Sequence, residues 1–415
     1  VRTLCFSARV FFSSQRFPAV ADNALVLFIS VLVIAGAIAL IALALRWRRK
    51  RRRARGNPNP AGDYAPRTAW GPTSGKLNFS SFVFMDVDGD GTYGQADRPM
   101  AGIVVRLFDQ SGRFIVAARS NAAGFANFPM SSTRRSAVIR SPGTFRFSVS
   151  VPPGWRASGA HENQSVRVTD APGSLVGLAG EGLPRPVGLI PARMVSGRTP
   201  TAATATLSVM GKGQLLESHP LGAATTFGFP LAGGADQVAI AGGGLDRRLA
   251  LSAYPVDLGL LAPGALQPDA ALSTIGFDDI TTRGLSKIPS GYAGLDWYNL
   301  NAMSRDHTRN SEGYVNGNVS GAYIAYTSSG HPAEFGRAAP FGFHSVMLSA
   351  AWLRSEGESA LVESWLGDEL IARDEVALSA LAPVQYAPML KAVTRVRLST
   401  KHHWQMVLDD LVLAL

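Results

Sequence analysis

The residues best spaced for chemistry lie in Asp86-Val87-Asp88-Gly89-Asp90-Gly91-Thr92-Tyr93-Gly94-Gln95-Ala96-Asp97, a D-x-D-x-D-G-x5-D run. A hard divalent cation such as calcium takes about six to eight oxygen ligands, and carboxylates at alternate positions of a tight turn converge on one point while a glycine permits the bend. Asp86, Asp88, Asp90 and Asp97 are therefore the expected carboxylate donors, with Thr92 giving its backbone carbonyl. Asp97 is shorter than the glutamate usual at the closing position, which makes two-oxygen coordination harder and lowers the expected affinity. The competing reading is an Asp/Gly-rich surface turn without a metal.

No other spacing of this kind occurs. The histidines, His161, His219, His307, His331, His344, His402 and His403, fit no metal-binding pattern such as HExxH. His402 and His403 are adjacent, so on a strand they would point to opposite faces. There is no G-x-S-x-G elbow, and Cys5 is the single cysteine, so the obvious nucleophile patterns and any intrachain disulfide are excluded. Gly242-Gly243-Gly244 lacks the Gly-Lys-Ser/Thr that a phosphate loop needs and reads as a turn. A glycoside hydrolase leaves no local signature, because its two carboxylates meet only in the fold. The expectation is no enzyme, with that class as an alternative.

The elements that must position the acidic run are strands. Phe82–Met85 precedes it and Gly102–Phe108 follows it, both apolar and β-prone, which sets it apart from a helix-flanked calcium loop. Over 415 residues, 46% hydrophobic and 17% charged content places the chain among folded proteins. The 43 glycines and 25 prolines suit short strands and tight turns. Alternating runs such as Gln164–Val168, Ala205–Met210 and Gln237–Ile240 continue the pattern through the middle, with a small β domain expected near 198–262.

Ahead of this, Ala24–Leu45 is apolar and uncharged, long enough at about 1.5 Å per residue to cross a bilayer as a helix. A cleaved secretory signal would have a shorter apolar core, and here Arg46-Trp47-Arg48-Arg49-Lys50-Arg51-Arg52-Arg53 follows at once. The net charge of +10 belongs to this end: residues 1–56 hold eleven Lys/Arg and one acid, leaving 29 of each sign from 57 onward. Nucleic acid is therefore not an expected partner. Pro, Gly and Asn from Asn57 to Gly75 read as a linker. Eight basic residues after the span against three before it would leave the rest of the chain in the cytoplasm.

The stretch FVFMDVDGDGTYGQADRPMAGIVVRLFDQSGRFIVAARSNAAGFANFPM, then SPGTFRFSVSVPPGW, resembles the B-type repeat of serine-aspartate-repeat surface adhesins, in the wider collagen-adhesin B-type group. The likeness spans Ser81 to about Trp155 and implies a calcium-bound, prealbumin-like β-sandwich acting as an extracytoplasmic spacer or display module. Gly94 and Asn121 stand where that family tends to have acids, which speaks against a second ion in this module. No Lys/Asn pairing suggests an isopeptide cross-link.

From Ile275-Gly276-Phe277-Asp278-Asp279 to Leu408-Asp409-Asp410-Leu411 the chain is similar to a galactose-binding-like jelly-roll module of secreted bacterial proteins, whose opening and closing strands pair. That pairing would bring Asp278, Asp279, Asp409 and Asp410 together as a second cation set, the rival reading being strand-end caps. Such modules bind sugars or pack beside other domains. Tyr292, Trp297 and Tyr314 offer flat faces for stacking, and Asn316 a hydrogen-bonding group, although sandwich aromatics are usually core.

The sequence thus predicts a mainly β fold, tandem β-sandwich domains after one N-terminal transmembrane helix. Its expected parts are an N-terminal tail (1–23), the span (24–45), a basic juxtamembrane segment and linker (46–75), a calcium-binding prealbumin-like sandwich (76–155), a middle β region (156–270) and a jelly roll (271–415). The expected function is that of a single-pass, cell-membrane surface protein whose calcium-stabilised spacer displays a C-terminal module to a glycan or protein. The alternative is a self-assembling envelope component. The resemblance favours an extracytoplasmic location and the charge bias the reverse.

Overall fold

A computed structural model describes residues 77–174, 176–200, 204–261, 271–281, 284–308 and 312–415. Among them no helix is long and apolar enough to cross a membrane, and the expected span at 24–45 lies outside them. The described chain is mainly β, arranged in several sheets.

The first module contains β1 (Leu77–Met85), β2 (Arg98–Pro99), β3 (Val104–Phe108), β4 (Phe114–Arg119), β5 (Phe125–Met130), β6 (Gly143–Val149), β7 (Trp155–Ala157), β8 (Asn163–Asp170), β9 (Leu178–Glu181) and β10 (Val187–Pro191). One sheet runs β2-β1-β10-β7 with β5 also on β1, and the other runs β4-β3-β6-β8-β9. Side chains alternate across each strand. Val105 and Leu107, Phe145 and Phe147, and Val166 and Val168 thereby face Phe79, Val83, Phe128 and Leu189 in one core. The module runs on to Pro191, past the expected boundary at 155. The reason is that β8 covers the free edge of β6 and β10 joins β1 in parallel, Val83 opposite Val187.

The middle module contains β11 (Met194–Arg198), β12 (Ala205–Gly211), β13 (Gln214–Leu221), β14 (Thr226–Pro230), β15 (Gln237–Gly242), β16 (Leu245–Ala250) and β17 (Val256–Leu260). A sheet β13-β12-β15-β16 packs its apolar face on β11 and β17 through Leu207, Val209, Val238, Ile240, Val195 and Leu258. The triple glycine is a hairpin turn: Gly243 and Gly244, with φ of 60° and 80°, link paired Gly242 and Leu245. Two left-handed residues match the twist of a tight hairpin, and glycine takes that conformation freely.

The last module contains β18 (Ser273–Ile275), β19 (Leu285–Lys287), β20 (Asp296–Tyr298), β21 (Leu300–Ser304), α1 (Glu312–Asn316), β22 (Tyr323–Thr327), β23 (Ala333–Ala350), β24 (Ser359–Leu366), β25 (Glu369–Ala377), β26 (Val384–Tyr386), β27 (Leu390–Thr400) and β28 (Met406–Ala414). β18 and β28 do pair, with Ile275 opposite Leu411. The long β23 pairs with β20, β26, β27 and β28, and its register shifts let it bend around the core.

These modules are fused. β17 lies parallel between β11 and β26, pairing Val256 with Gln385, so one sheet runs from the middle module into the last. Met85, Tyr254, Met347 and Ala382 form a small core drawn from all three modules, with Val87, Trp155 and Val319 packed against it.

Candidate functional site

β1 delivers Asp86 directly from its last residue, and β2 begins directly after Asp97. Strands therefore flank the loop on both sides. Asp86 is buried, its Oδ1 accepting the Gly89 N–H (2.6 Å) and its Oδ2 the Gly91 N–H (2.8 Å). Buried Asp97 accepts the Val87 N–H (2.9 Å) and the Gly94 N–H (2.7 Å). The exposed Asp88 accepts the Asp90 N–H (3.2 Å), and Asp90 the Thr92 N–H (2.6 Å). Gly89 and Gly91 have φ of 76° and 79°, the left-handed conformation that the tight path requires. Tyr93 closes edge-on over Phe82 and Phe84, at 4.8 and 5.3 Å between ring centres, which ties the loop to β1.

Asp86, Asp88 and Asp97 each offer a carboxylate oxygen within 4.8 Å of the others. Oxygens about 2.3–2.6 Å from one cation stand up to about 5 Å apart, so this spacing suits a shared calcium ion. Asp90 falls outside that group and is engaged with the turn backbone. Burial acts to raise the Asp86 carboxyl, but the Ser158 hydroxyl and the Gly91 and Gly89 amides outweigh it and hold the group below its usual range. At Asp88 the Asp90 amide pulls down, and slight desolvation with the charges of Asp90 and Asp97 leaves the carboxyl raised. Mutual repulsion that raises a carboxyl is what a divalent cation would relieve.

The second expected set is arranged differently. Asp278 accepts the Ala322 N–H (2.6 Å) and the Tyr323 N–H (3.0 Å), and Asp279 accepts the Tyr292 hydroxyl (2.6 Å). Asp409 accepts the N–H groups of Val319 (2.6 Å), Ser320 (3.1 Å) and Asp410 (2.8 Å), and Asp410 accepts the Ser320 hydroxyl. Asp278, Asp409 and Asp410 hold the segment 319–323, Asp279 holds Tyr292, and the four do not form a cation cluster among the described residues. The physical reason is that separate donors meet them, backbone amides at Asp278 and Asp409 and hydroxyls at Asp279 and Asp410, and β28 bulges at Asp410, where φ is 41°. Asp409 is fully enclosed, and desolvation followed by the Asp410 charge pushes its carboxyl up to about 7.

Of the expected sugar-contacting residues, Trp297 and Tyr314 serve packing. Trp297 (7% exposed) lies among Phe277 and Phe335 and donates to the Tyr292 carbonyl (2.9 Å). Tyr314 (3% exposed) donates to Gln405 Oε1 (2.6 Å) and stands edge-on to Tyr326 and Trp352. Tyr292, half-buried, lines an open groove of about 480 Å³ with Asp278 and Asp279. Asn316 joins two modules: its Oδ1 accepts the Ala101 N–H (3.0 Å), and its Nδ2 donates to the carbonyls of Ala101 (3.1 Å) and Ala380 (2.9 Å).

Sequence reasoning missed one buried cluster. Asp374 (2% exposed) takes Arg198 Nη2 and the Leu260 N–H (3.0 Å) on one oxygen and the Tyr386 hydroxyl (2.8 Å) on the other. The partners are far apart in the chain, so no local spacing announces them.

No family model matches the sequence. No curated protein matches it either. Among solved structures, the Bacillus anthracis TIE protein is 9% identical, with 45% of this chain and 33% of that chain covered and a TM-score of 0.22. The chain thus spans about a third of that protein. Shaft pilin SpaA from Lactobacillus rhamnosus GG is 12% identical over 46% of this chain and 100% of the other, with a TM-score of 0.20. A major pilin from Streptococcus pyogenes serotype GAS131465 is 7% identical over 76% and 97%, with a TM-score of 0.21. Scores this low do not establish a common fold.

Proposed function

We propose that this chain is a membrane-anchored, non-catalytic surface component in which a calcium-stabilised first sandwich is docked on the two modules that follow and presents them as one body. The observation that carries the reading is the shared core of Met85, Tyr254, Met347 and Ala382, to which all three modules contribute. The continuous path β11-β17-β26 and the Asn316 bonds to Ala101 and Ala380 add to it. Flexible linkage would suit a chain of independent binding domains, whereas this joint suits holding a surface at fixed geometry. With Trp297 and Tyr314 buried and Asn316 engaged, a protein surface is the better-supported partner class than a glycan.

The test is denaturant unfolding of the full chain followed by tryptophan fluorescence and by circular dichroism. Coincident single transitions are expected, because fused modules unfold together. Separate transitions would defeat the one-body reading whether or not calcium binds. Calcium is tested apart from this, by the rise in melting temperature on adding the ion and its loss in Asp88→Asn.

A further inference from the structure

Where the three modules meet there is a half-open crevice of about 210 Å³, whose walls include Trp155, Met194, Ser196, Asp257, Ala382 and Pro383. Trp155 comes from the first module, Met194, Ser196 and Asp257 from the middle one, and Ala382 and Pro383 from the last. The volume lies below the roughly 300 Å³ at which pockets for whole drug-sized ligands begin, and suits a single side chain. Asp257 is the only ionisable residue in the lining.

Asp257 has no ion-pair partner among the described residues. Its Oδ1 accepts the Gly259 N–H (2.9 Å). The cation whose charge acts on it, Arg198 on β11, is committed to Asp374 on β25 and to the Arg373 carbonyl (2.8 Å). Tyr386 on β26 already donates to Asp374. Burial is the largest influence on the Asp257 carboxyl and, with the Asp374 charge, leaves it raised against the pull of the Gly259 amide, the Arg198 charge and the Ser196 hydroxyl. A carboxylate in this setting lacks a counter-ion that the fold itself does not supply.

We propose that this crevice is a binding site for an aliphatic chain ending in an ammonium group, as in a lysine side chain. The methylene stem would lie along Met194, Ala382 and Pro383, as long cationic side chains do on apolar surface. The ammonium group would meet Asp257, and the Trp155 ring would add a cation–π contact. A guanidinium fits less well, since it seeks two free carboxylate oxygens and Asp257 has already given one to Gly259. Because all three modules build the walls, occupancy would favour their docked arrangement.

The test is calorimetric titration of the detergent-solubilised full chain with Nα-acetyl-lysinamide and, as the matched stem without nitrogen, Nα-acetyl-norleucinamide. Saturable binding of the lysine compound, at least about tenfold tighter than that of the norleucine compound, is expected. Asp257→Asn should abolish that preference. Equal binding of the two compounds, no binding of either, or an unchanged preference in Asp257→Asn overturns the proposal. Should that variant fail to fold, the pH series of the natural chain decides. Lysinamide affinity must fall as acid gives Asp257 its proton, beginning above the ordinary carboxylate range, while norleucinamide affinity stays level, and a flat lysinamide profile overturns the site. A peptide carrying one lysine between glycines, run beside n-butylamine, separates a polypeptide source from a free amine, and binding of either supports the shared chemistry.

Discussion

Two groups of four aspartates in this chain look alike on paper and behave differently in space. Asp86, Asp88, Asp90 and Asp97 sit within one loop, and three of them bring oxygens to a common point. Asp278, Asp279, Asp409 and Asp410 come from opposite ends of the last module, and hydrogen-bond donors of neighbouring segments occupy each one. Both sets accept hydrogen bonds, so these do not separate them. What separates them is convergence: the single turn sets oxygens of Asp86, Asp88 and Asp97 within 4.8 Å of one another, while the strand-end acids meet donors in different segments.

The comparison is most exposed at Asp409. Asp409→Ala strips the acceptor from three amides in a dry site and should cost about 2–3 kcal/mol, read by urea unfolding. A loss near zero would mean that the second set is not structural. For the first set the sensitive variable is the ion. Calcium at about a hundred times its dissociation constant should stabilise the folded chain by about 2.7 kcal/mol, and Asp88→Asn should erase that gain. Asn316→Ala, which removes the bonds from α1 to Ala101 and Ala380, should cost about 1–2 kcal/mol with or without calcium. The smallest effect is that of Asp88→Asn without calcium, whose unfolding midpoint should match that of the natural chain, since Asp88 is exposed and accepts one turn amide. A large loss there would make both sets scaffolding and dissolve the contrast.

Acid titration sharpens the same contrast. The Asp409 carboxyl is raised to about 7 in the folded chain, against 3.8 for the ordinary side chain. Between those values the unfolded chain has released this proton and the folded chain retains it, so this group's contribution to stability falls as pH rises from about 4 to about 7. Asp86 is lowered, so its contribution is present above its ordinary value and is lost as pH falls below it. Unfolding curves of the natural chain and Asp409→Asn across this range should differ in slope with the sign given; equal slopes would contradict the raised carboxyl.

What the sequence made legible is local. The strands around the acidic loop and the turn at the triple glycine follow from residue type and spacing alone. The rest depends on partners that no window of sequence contains. Trp297 and Tyr314 have the composition of a sugar platform, and only the sheet packed over them makes them core. The module end at Pro191 rests on the parallel pairing of β1 with β10, and the Arg198–Asp374 contact joins residues 176 positions apart.

The parallel placement of β17 also governs how the protein is made. Val256 emerges during synthesis long before its neighbour Gln385, so until then β17 can pair only with β11 and leaves one line of amides and carbonyls open. Such an edge is an invitation to foreign strands, and closure over so long a loop is slow. A chain cut off before β26 should therefore aggregate where the whole chain folds, and the nascent protein has reason to need a holding partner until its final stretch arrives.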